Sequence, residues 1–387
     1  MPDSAPDDQI SESREHQAMH LMQTGAFPQA EVLIKEILDD RPDDPQLLNS
    51  LGAVIAQQGR IVEALPMIRR AYEQIPDDVS VKGNLTASLQ ALEAQASGHV
   101  ANGHWQKALE AYREILTLFP DHTFAPNSII HYAMAAGEKP RLADYAPELS
   151  KDELGTHIFI ACMPKSGSTF LKMAFIALTG WREELLTYAY MQNEGDLYLP
   201  YLRAVARQDT VTQLHCRATV PNIQMMQAFG IRPVVLMRNL FDAIVSYTDF
   251  FDGGATVNTF FAGRWGSLPR ERRIDLVIDN FVPWYTAFFA SWADVKTKGQ
   301  LDCHFLRYED MIADKSKTIE RLSKFYRLDK SSEECATAHR RVEAEKDMIR
   351  FNKGKAGPGD ELSDKQKDRI RELAGYYPDI DFSPVGL

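Results

Sequence analysis

Six residues between two apolar runs carry the first sign of chemistry: Pro164, Lys165, Ser166, Gly167, Ser168 and Thr169, inside "IFIACMPKSGSTFLKMAF" from Ile158 to Phe175. A buried strand that ends in small residues and reopens as a helix leaves several backbone N–H groups unpaired at the helix start, and these favour an anion. With an ammonium beside them, the turn reads as a phosphate cradle. It is not the usual nucleotide-binding loop, because that pattern needs a second glycine just before the lysine, and Lys165 precedes the only glycine. A second candidate is "VVLMRNLFDAIVSY", where Arg238 follows a β-rich run and Ser246 lies eight residues further on. A guanidinium fork suits a phosphate dianion, and a hydroxyl two helical turns on can face the same oxygens. An ion pair between Arg238 and Asp242 that caps the helix accounts for the same arginine without any ligand.

These residues need a frame. From about Gly155, the β-rich runs "HIFIAC", "RPVVLM" and "LDCHFLRY" alternate with helical stretches at Phe170–Leu178, Leu240–Phe250 and Lys317–Phe325, the grammar of a parallel α/β sheet. Such sheets bind ligands at the carboxyl ends of their strands, and each run ends in a polar or charged residue. The chain before this point reads differently. Gly25, Gly59 and Gly103 are each followed five residues later by Ala30, Ala64 or Ala108, and seventeen residues later by Pro42, Pro76 or Pro120. The first two copies are 34 residues apart and the third is displaced by 44, which places about ten inserted residues around "EAQASGHVAN". The pattern resembles tetratricopeptide repeats, in which the glycine ends one helix, the alanine lets two helices approach and the proline opens the turn to the next repeat. The expected division is a polar disordered tail over 1–13, helical repeats and a linker over 14–150, and the α/β domain over 151–387.

"PKSGSTF" after one strand and "RNLFDAIVSY" after another together resemble the two cofactor signatures of the sulfotransferases that use 3′-phosphoadenosine 5′-phosphosulfate, PAPS. The resemblance covers roughly Gly155 to the C-terminus and implies a P-loop-like three-layer α/β domain preceded by the all-α repeats. It implies that Lys165, Ser166, Gly167, Ser168 and Thr169 bind the 5′ end of the donor, and that Arg238 and Ser246 bind its 3′-phosphate. "LRYED" is similar to the family's adenine-side tyrosine, giving Tyr308. "FNKGKAG" is similar to a late segment that returns to the 3′-phosphate, giving Lys353 and Gly354, with Asn352 where that segment has arginine. The tryptophan that closes the family's first loop and stacks on adenine is Phe170 here, a smaller ring for the same contact. The family's base is a histidine upstream of the second signature, which in "TQLHCRATVPN" is His215, a group that titrates near neutrality. Many members place a lysine two residues before that histidine, where this chain has Gln213. If the segment is extended, residues 213, 215 and 217 share one face, so Arg217 is expected to carry the missing charge. His157 and His304 fall inside apolar strand patterns and read as structural.

Composition bounds these expectations. The 387 residues have a formal charge of -11, and all of it falls in residues 1–150, which hold 22 acids against 11 bases. The remaining chain balances 32 acids with 32 bases, so a multiply anionic ligand is not repelled there, while nucleic acid is not an expected partner. The four cysteines show no paired spacing; reduced thiols and no metal site are expected. No segment approaches 18 uninterrupted apolar residues and the first residues lack a basic, apolar leader, so the expectation is a cytoplasmic protein without membrane insertion. Arg264, Arg270, Arg272 and Arg273 lie in the expected acceptor region and read either as acceptor contacts or as a solvated basic face. Phe281, Trp284, Tyr285, Phe288 and Trp292 are spaced like a helix face and read mostly as core. The repeats point to a protein partner, self-association or a large acceptor such as a glycan or peptide. Two other functions fit the same fold class: a nucleotide kinase, though the loop lacks the Lys-Ser/Thr end that would hold Mg²⁺, and a repeat scaffold with an inactive transferase domain.

Overall fold

The computed structural model describes residues 6–119, 122, 125–138, 141–146, 148–188, 194–253, 265–345 and 358–387. Two compact units divide the chain, Met1–Glu148 and Leu149–Leu387.

The first unit is a series of helices, each packed on the next: α1 (Pro6–Gln23), α2 (Phe27–Asp40), α3 (Pro45–Gln57), α4 (Ile61–Gln74), α5 (Val79–Ala101), α6 (Trp105–Leu118) and α7 (Ala125–Ala135), followed by the single turn α8 (Leu142–Tyr145). Helix starts are written in the sequence. The Asp44 carboxylate accepts the N–H groups of Gln46 and Leu47 at 2.9 and 3.2 Å with Pro45 in the first turn, and Asp78 accepts those of Ser80 and Val81 at 2.8 and 3.0 Å. Helix ends follow the repeat. Gly25, Gly59 and Gly103 take left-handed φ values of 76, 79 and 68°, and Ala30, Ala64 and Ala108 are fully buried between helices. A fourth glycine, Gly137, adopts the same φ of 74° and lies 34 residues after Gly103. The ten extra residues of the third copy lengthen its first helix, which has 23 residues in α5 against 13 in α3. α1 begins at Pro6, within the span 1–13 for which a tail is expected. Residues 1–5 and Pro120 lie outside the described residues.

The second unit is a parallel sheet of β1 (His157–Cys162), β2 (Arg182–Glu183), β3 (Thr210–Leu214), β4 (Arg232–Met237) and β5 (His304–Arg307) in the order β2-β3-β1-β4-β5. Its helices are α9 (Ser168–Thr179), α10 (Leu199–Val205), α11 (Val220–Ala228), α12 (Leu240–Asp252), α13 (Arg270–Lys298), α14 (Tyr308–Ala313), α15 (Lys315–Phe325), α16 (Ser332–Ala344) and α17 (Asp364–Ala374). All six residues of β1 are buried, as a central strand covered on both faces requires. β1 pairs with β3 through Ile160↔Gln213 and with β4 through Ile160↔Val234. One core gathers Ile158, Ile160, Val234 and Leu236 against Leu171 and Phe175 of α9, Ile319 and Leu322 of α15 and Ala338 of α16. The order reverses about β1, which has β3 on one side and β4 on the other, so the loops leaving these three strands meet at one crevice.

Candidate functional site

The crevice is a cavity of about 240 Å³ lined by Pro164, Lys165, Gly167, Ser168, Thr169, Phe170, Gln213, His215, Arg238, Ser246, Tyr247, Phe250 and Tyr308. It takes residues from the carboxyl ends of four strands. Its lining holds two strong cations, Lys165 and Arg238, and no acid among the described residues, so its field favours an anion.

The turn after β1 is braced at three successive carbonyls, those of Met163, Pro164 and Lys165. Met163 N–H donates to Leu236 in β4 at 3.0 Å, and Met163 O accepts the Ser166 hydroxyl at 2.6 Å. Pro164 O accepts the Tyr285 hydroxyl at 2.9 Å, and Lys165 O accepts Nη1 of Arg238 at 2.8 Å. Lys165 has a φ of 66°, left-handed for a residue with a side chain, and its ammonium rests 4.2 Å from the centroid of the Phe250 ring. Gly167 is required twice over. Its φ is 82°, and a Cβ there would lie 2.7 Å from the Met311 methyl and 3.0 Å from the Tyr308 ring. Ser168 then opens α9, whose first N–H groups are the ones that lack helical partners.

Arg238 follows β4 and is only 5% exposed; its guanidinium carbon lies 4.3 Å from the centroid of the Tyr308 ring. Burial raises the Tyr308 phenol above its ordinary pKa, with Arg238 opposing the shift, so it stays protonated beside the cation. Asn239 caps α12 by accepting the Asp242 N–H at 3.3 Å, and Asp242 in turn accepts the Gly359 N–H at 2.8 Å. One turn after Asp242, the buried Ser246 faces the cavity, and Phe250 follows one turn later. Tyr247 and Phe250 were not singled out in the sequence, although i and i+4 spacing from Ser246 to Phe250 was the available signal.

His215 stands just beyond β3. Its Nδ1 lies 2.9 Å from the Cys162 carbonyl and 3.4 Å from the Cys162 sulfur. A carbonyl can only accept, so Nδ1 carries the proton and Nε2 keeps the lone pair. The edge of the Trp284 ring approaches at 6.3 Å between centroids, and the His215 carbonyl accepts the Gly195 N–H at 2.9 Å. Burial pushes the imidazole pKa down, but the sulfur and carbonyl of Cys162 together outweigh it and the net direction is upward.

Arg217 does not join this group. The strand ends at Leu214, the Cys216 carbonyl is taken by the Trp292 indole at 3.0 Å, and the Arg217 guanidinium pairs with Glu194. The alternation expected for residues 213, 215 and 217 stops at the strand end, and only Gln213 and His215 line the cavity. Phe170 lines it too, but its ring is 2% exposed and packs in the core edge-on to His339 at 5.9 Å, so little of its face is open for stacking. Lys353, Gly354 and Arg264 lie outside the described residues. Arg270 bonds Asp249 at 2.7 Å and Asp252 at 2.8 Å, Arg272 bonds Asp275 at 3.0 Å, and Arg273 bonds Asp252 at 2.5 Å, which ties these arginines to neighbouring acids. His157 donates or accepts at Thr210 Oγ1, 2.7 Å away, and burial holds its pKa down to about 4, the properties of a structural histidine. Among the described residues no cluster of metal-ligating side chains occurs and no helix is long and apolar enough to cross a membrane.

A family model described as a sulfotransferase domain matches residues 155–372, which include every described cavity residue. This chain belongs to the sulfotransferase domain family. A tetratricopeptide repeat model matches residues 17–79 of this sulfotransferase-family chain. Among solved structures it is similar to the mouse sulfotransferase SULT7A1 complexed with PAP, at 17% identity, 61% of this chain, 90% of that chain and a TM-score of 0.46. It is also similar to a mutant O-GlcNAc transferase of Thermobaculum terrenum, at 15% identity, 60% of this chain, 46% of that chain and a TM-score of 0.21. No curated protein matches it.

Proposed function

We infer that this chain transfers the sulfuryl group of PAPS to a hydroxyl or amine of an acceptor. The observation that carries this reading is the cavity, with no acid among its described lining residues, in which Lys165, Arg238, Ser246 and His215 converge. Lys165 and the N–H groups of the turn at Gly167 to Thr169 hold the 5′ end, Arg238 and Ser246 hold the 3′-phosphate, and Tyr308 flanks the nucleoside. Ser166, expected at the 5′ end, is buried with its N–H and hydroxyl both on the Met163 carbonyl and braces the turn instead. In the reaction, Nε2 of His215 takes the acceptor proton as the acceptor atom bonds to sulfur. The bond from sulfur to the bridging oxygen breaks, that oxygen stays on the 5′-phosphate, and the Lys165 ammonium neutralises its growing charge. 3′-Phosphoadenosine 5′-phosphate, PAP, is the second product.

The test is nucleotide selectivity, read by calorimetry. Ser246→Ala and Arg238→Ala are expected to weaken PAP far more than adenosine 5′-phosphosulfate, which lacks the 3′-phosphate. Ser246→Ala is the cleaner variant, because Arg238 also holds the Lys165 carbonyl. Equal losses for the two nucleotides, or a parent that prefers ATP with Mg²⁺, would overturn the reading and favour the kinase.

The repeats are proposed to recruit a protein partner, a second copy or a large acceptor, leaving the donor site to the second unit. Residues 149–387 expressed alone are therefore expected to bind PAP with the affinity of the full chain. A folded fragment that cannot bind it would show that this division of labour is wrong.

A further inference from the structure

We propose that Tyr285 is a positioning residue that holds Lys165 in its left-handed conformation, and with it the 5′-phosphate contact. The proposal rests on the donor-site reading above. Lys165 is one of two residues other than glycine with positive φ among the described residues, a conformation that persists only where surrounding contacts over-determine it. The two peptide units that flank its Cα are both pinned. The unit before it carries the Pro164 carbonyl, which the Tyr285 hydroxyl holds at 2.9 Å. The unit after it carries the Lys165 carbonyl, held by Arg238 at 2.8 Å, and the Ser166 N–H, which donates to Met163 at 3.3 Å. Since φ and ψ are the rotations of these two planes about Cα, fixing both planes fixes Lys165.

Of the two polar groups in that preceding plane, the Pro164 carbonyl and the Lys165 N–H, it is the carbonyl that Tyr285 holds. Tyr285 is fully buried, and burial raises its phenol well above the ordinary tyrosine pKa, which keeps it a donor. Two turns further along α13, the Trp292 indole bonds the Cys216 carbonyl, next to His215. One helix therefore braces the turn that bears the cation and the loop that bears the base. The aromatic spacing of this helix reads as core, and the phenyl ring is core; the hydroxyl is the part with a role at the site.

The test removes the hydroxyl alone and reads a ratio of affinities. PAP and adenosine 3′-phosphate share the 3′-phosphate and differ in the 5′-phosphate, so the parent's preference for PAP reports the contact made by the Lys165 turn. In Tyr285→Phe that preference is expected to fall roughly tenfold, the size of one lost buried hydrogen bond, with adenosine 3′-phosphate binding unchanged. In a Lys165→Ala background, Tyr285→Phe is expected to change nothing further, because the hydroxyl acts through Lys165. A merely structural tyrosine would weaken both nucleotides alike, or would cost the same in either background, and either result overturns the proposal. An unchanged preference in Tyr285→Phe overturns it as well while leaving the donor site standing. A parent with no preference for PAP would bring down the donor-site reading and this inference together.

Discussion

Lys165→Ala is expected to lower sulfuryl transfer about a hundredfold to a thousandfold at saturating PAPS, the loss typical of one preorganised charge contact, roughly 3 to 4 kcal/mol. The ammonium rests on the ring of Phe250, in a cavity whose described lining residues include no acid. It is held by a backbone whose neighbouring carbonyls are braced, so little reorganisation is needed as charge grows on the departing phosphate. Because the contact strengthens as the bond to sulfur breaks, the loss should fall mainly on turnover. Label transfer from PAPS into a cell extract measures the rate, and circular dichroism checks that the fold is retained. A variant that turns over like the parent would remove Lys165 from the mechanism.

The parts of this site that were legible in the sequence are those that sit on one contiguous stretch. Lys165 to Thr169 form a single turn between a strand and a helix, and Arg238 and Ser246 belong to one strand and the helix that follows it, so local spacing was enough to group them. What was not legible depends on which strands lie side by side. Cys162 meets His215 because β1 pairs with β3 in the register Ala161↔Leu214, and nothing local to either residue announces that contact. Arg217 shows the same limit from the other side: an alternating pattern held only as far as Leu214, and the arginine found Glu194, 23 residues away in sequence. Tyr285 was readable as core from its helical period, but its hydroxyl partner lies 121 residues away. In the repeats, spacing located the insertion in the third copy, but the form it takes, extra turns of α5, was not written in that spacing. Gly137 was missed because Leu142 and Leu154 stand where the repeat would place alanine and proline.

His215→Asn is expected to leave PAP binding unchanged and to lower transfer by about a hundredfold to ten thousandfold, the range spanned by general base catalysis. Asparagine is the informative choice, since its amide can still donate to the Cys162 carbonyl in place of Nδ1 and so preserve the loop. What it lacks is the basic Nε2. The pH dependence of the parent then has a definite sign. A base must be neutral to accept a proton, and the net pKa of His215 lies above the ordinary histidine value of about 6.5, because Cys162 outweighs the effect of burial. Turnover should therefore be low at acid pH and rise as pH passes through that raised value, not below it. Stability linked to the same group runs the other way. A raised folded pKa contributes stability that is fully present below the unfolded value and lost as pH rises through the folded one, so the acid loss of rate is not His215-linked unfolding. The amide that replaces the imidazole does not titrate, and the residual rate of the variant should be flat across the window in which the parent rises. A variant that keeps the parent's slope would assign the titration to another group and leave His215 as a hydrogen-bonded residue at a strand end.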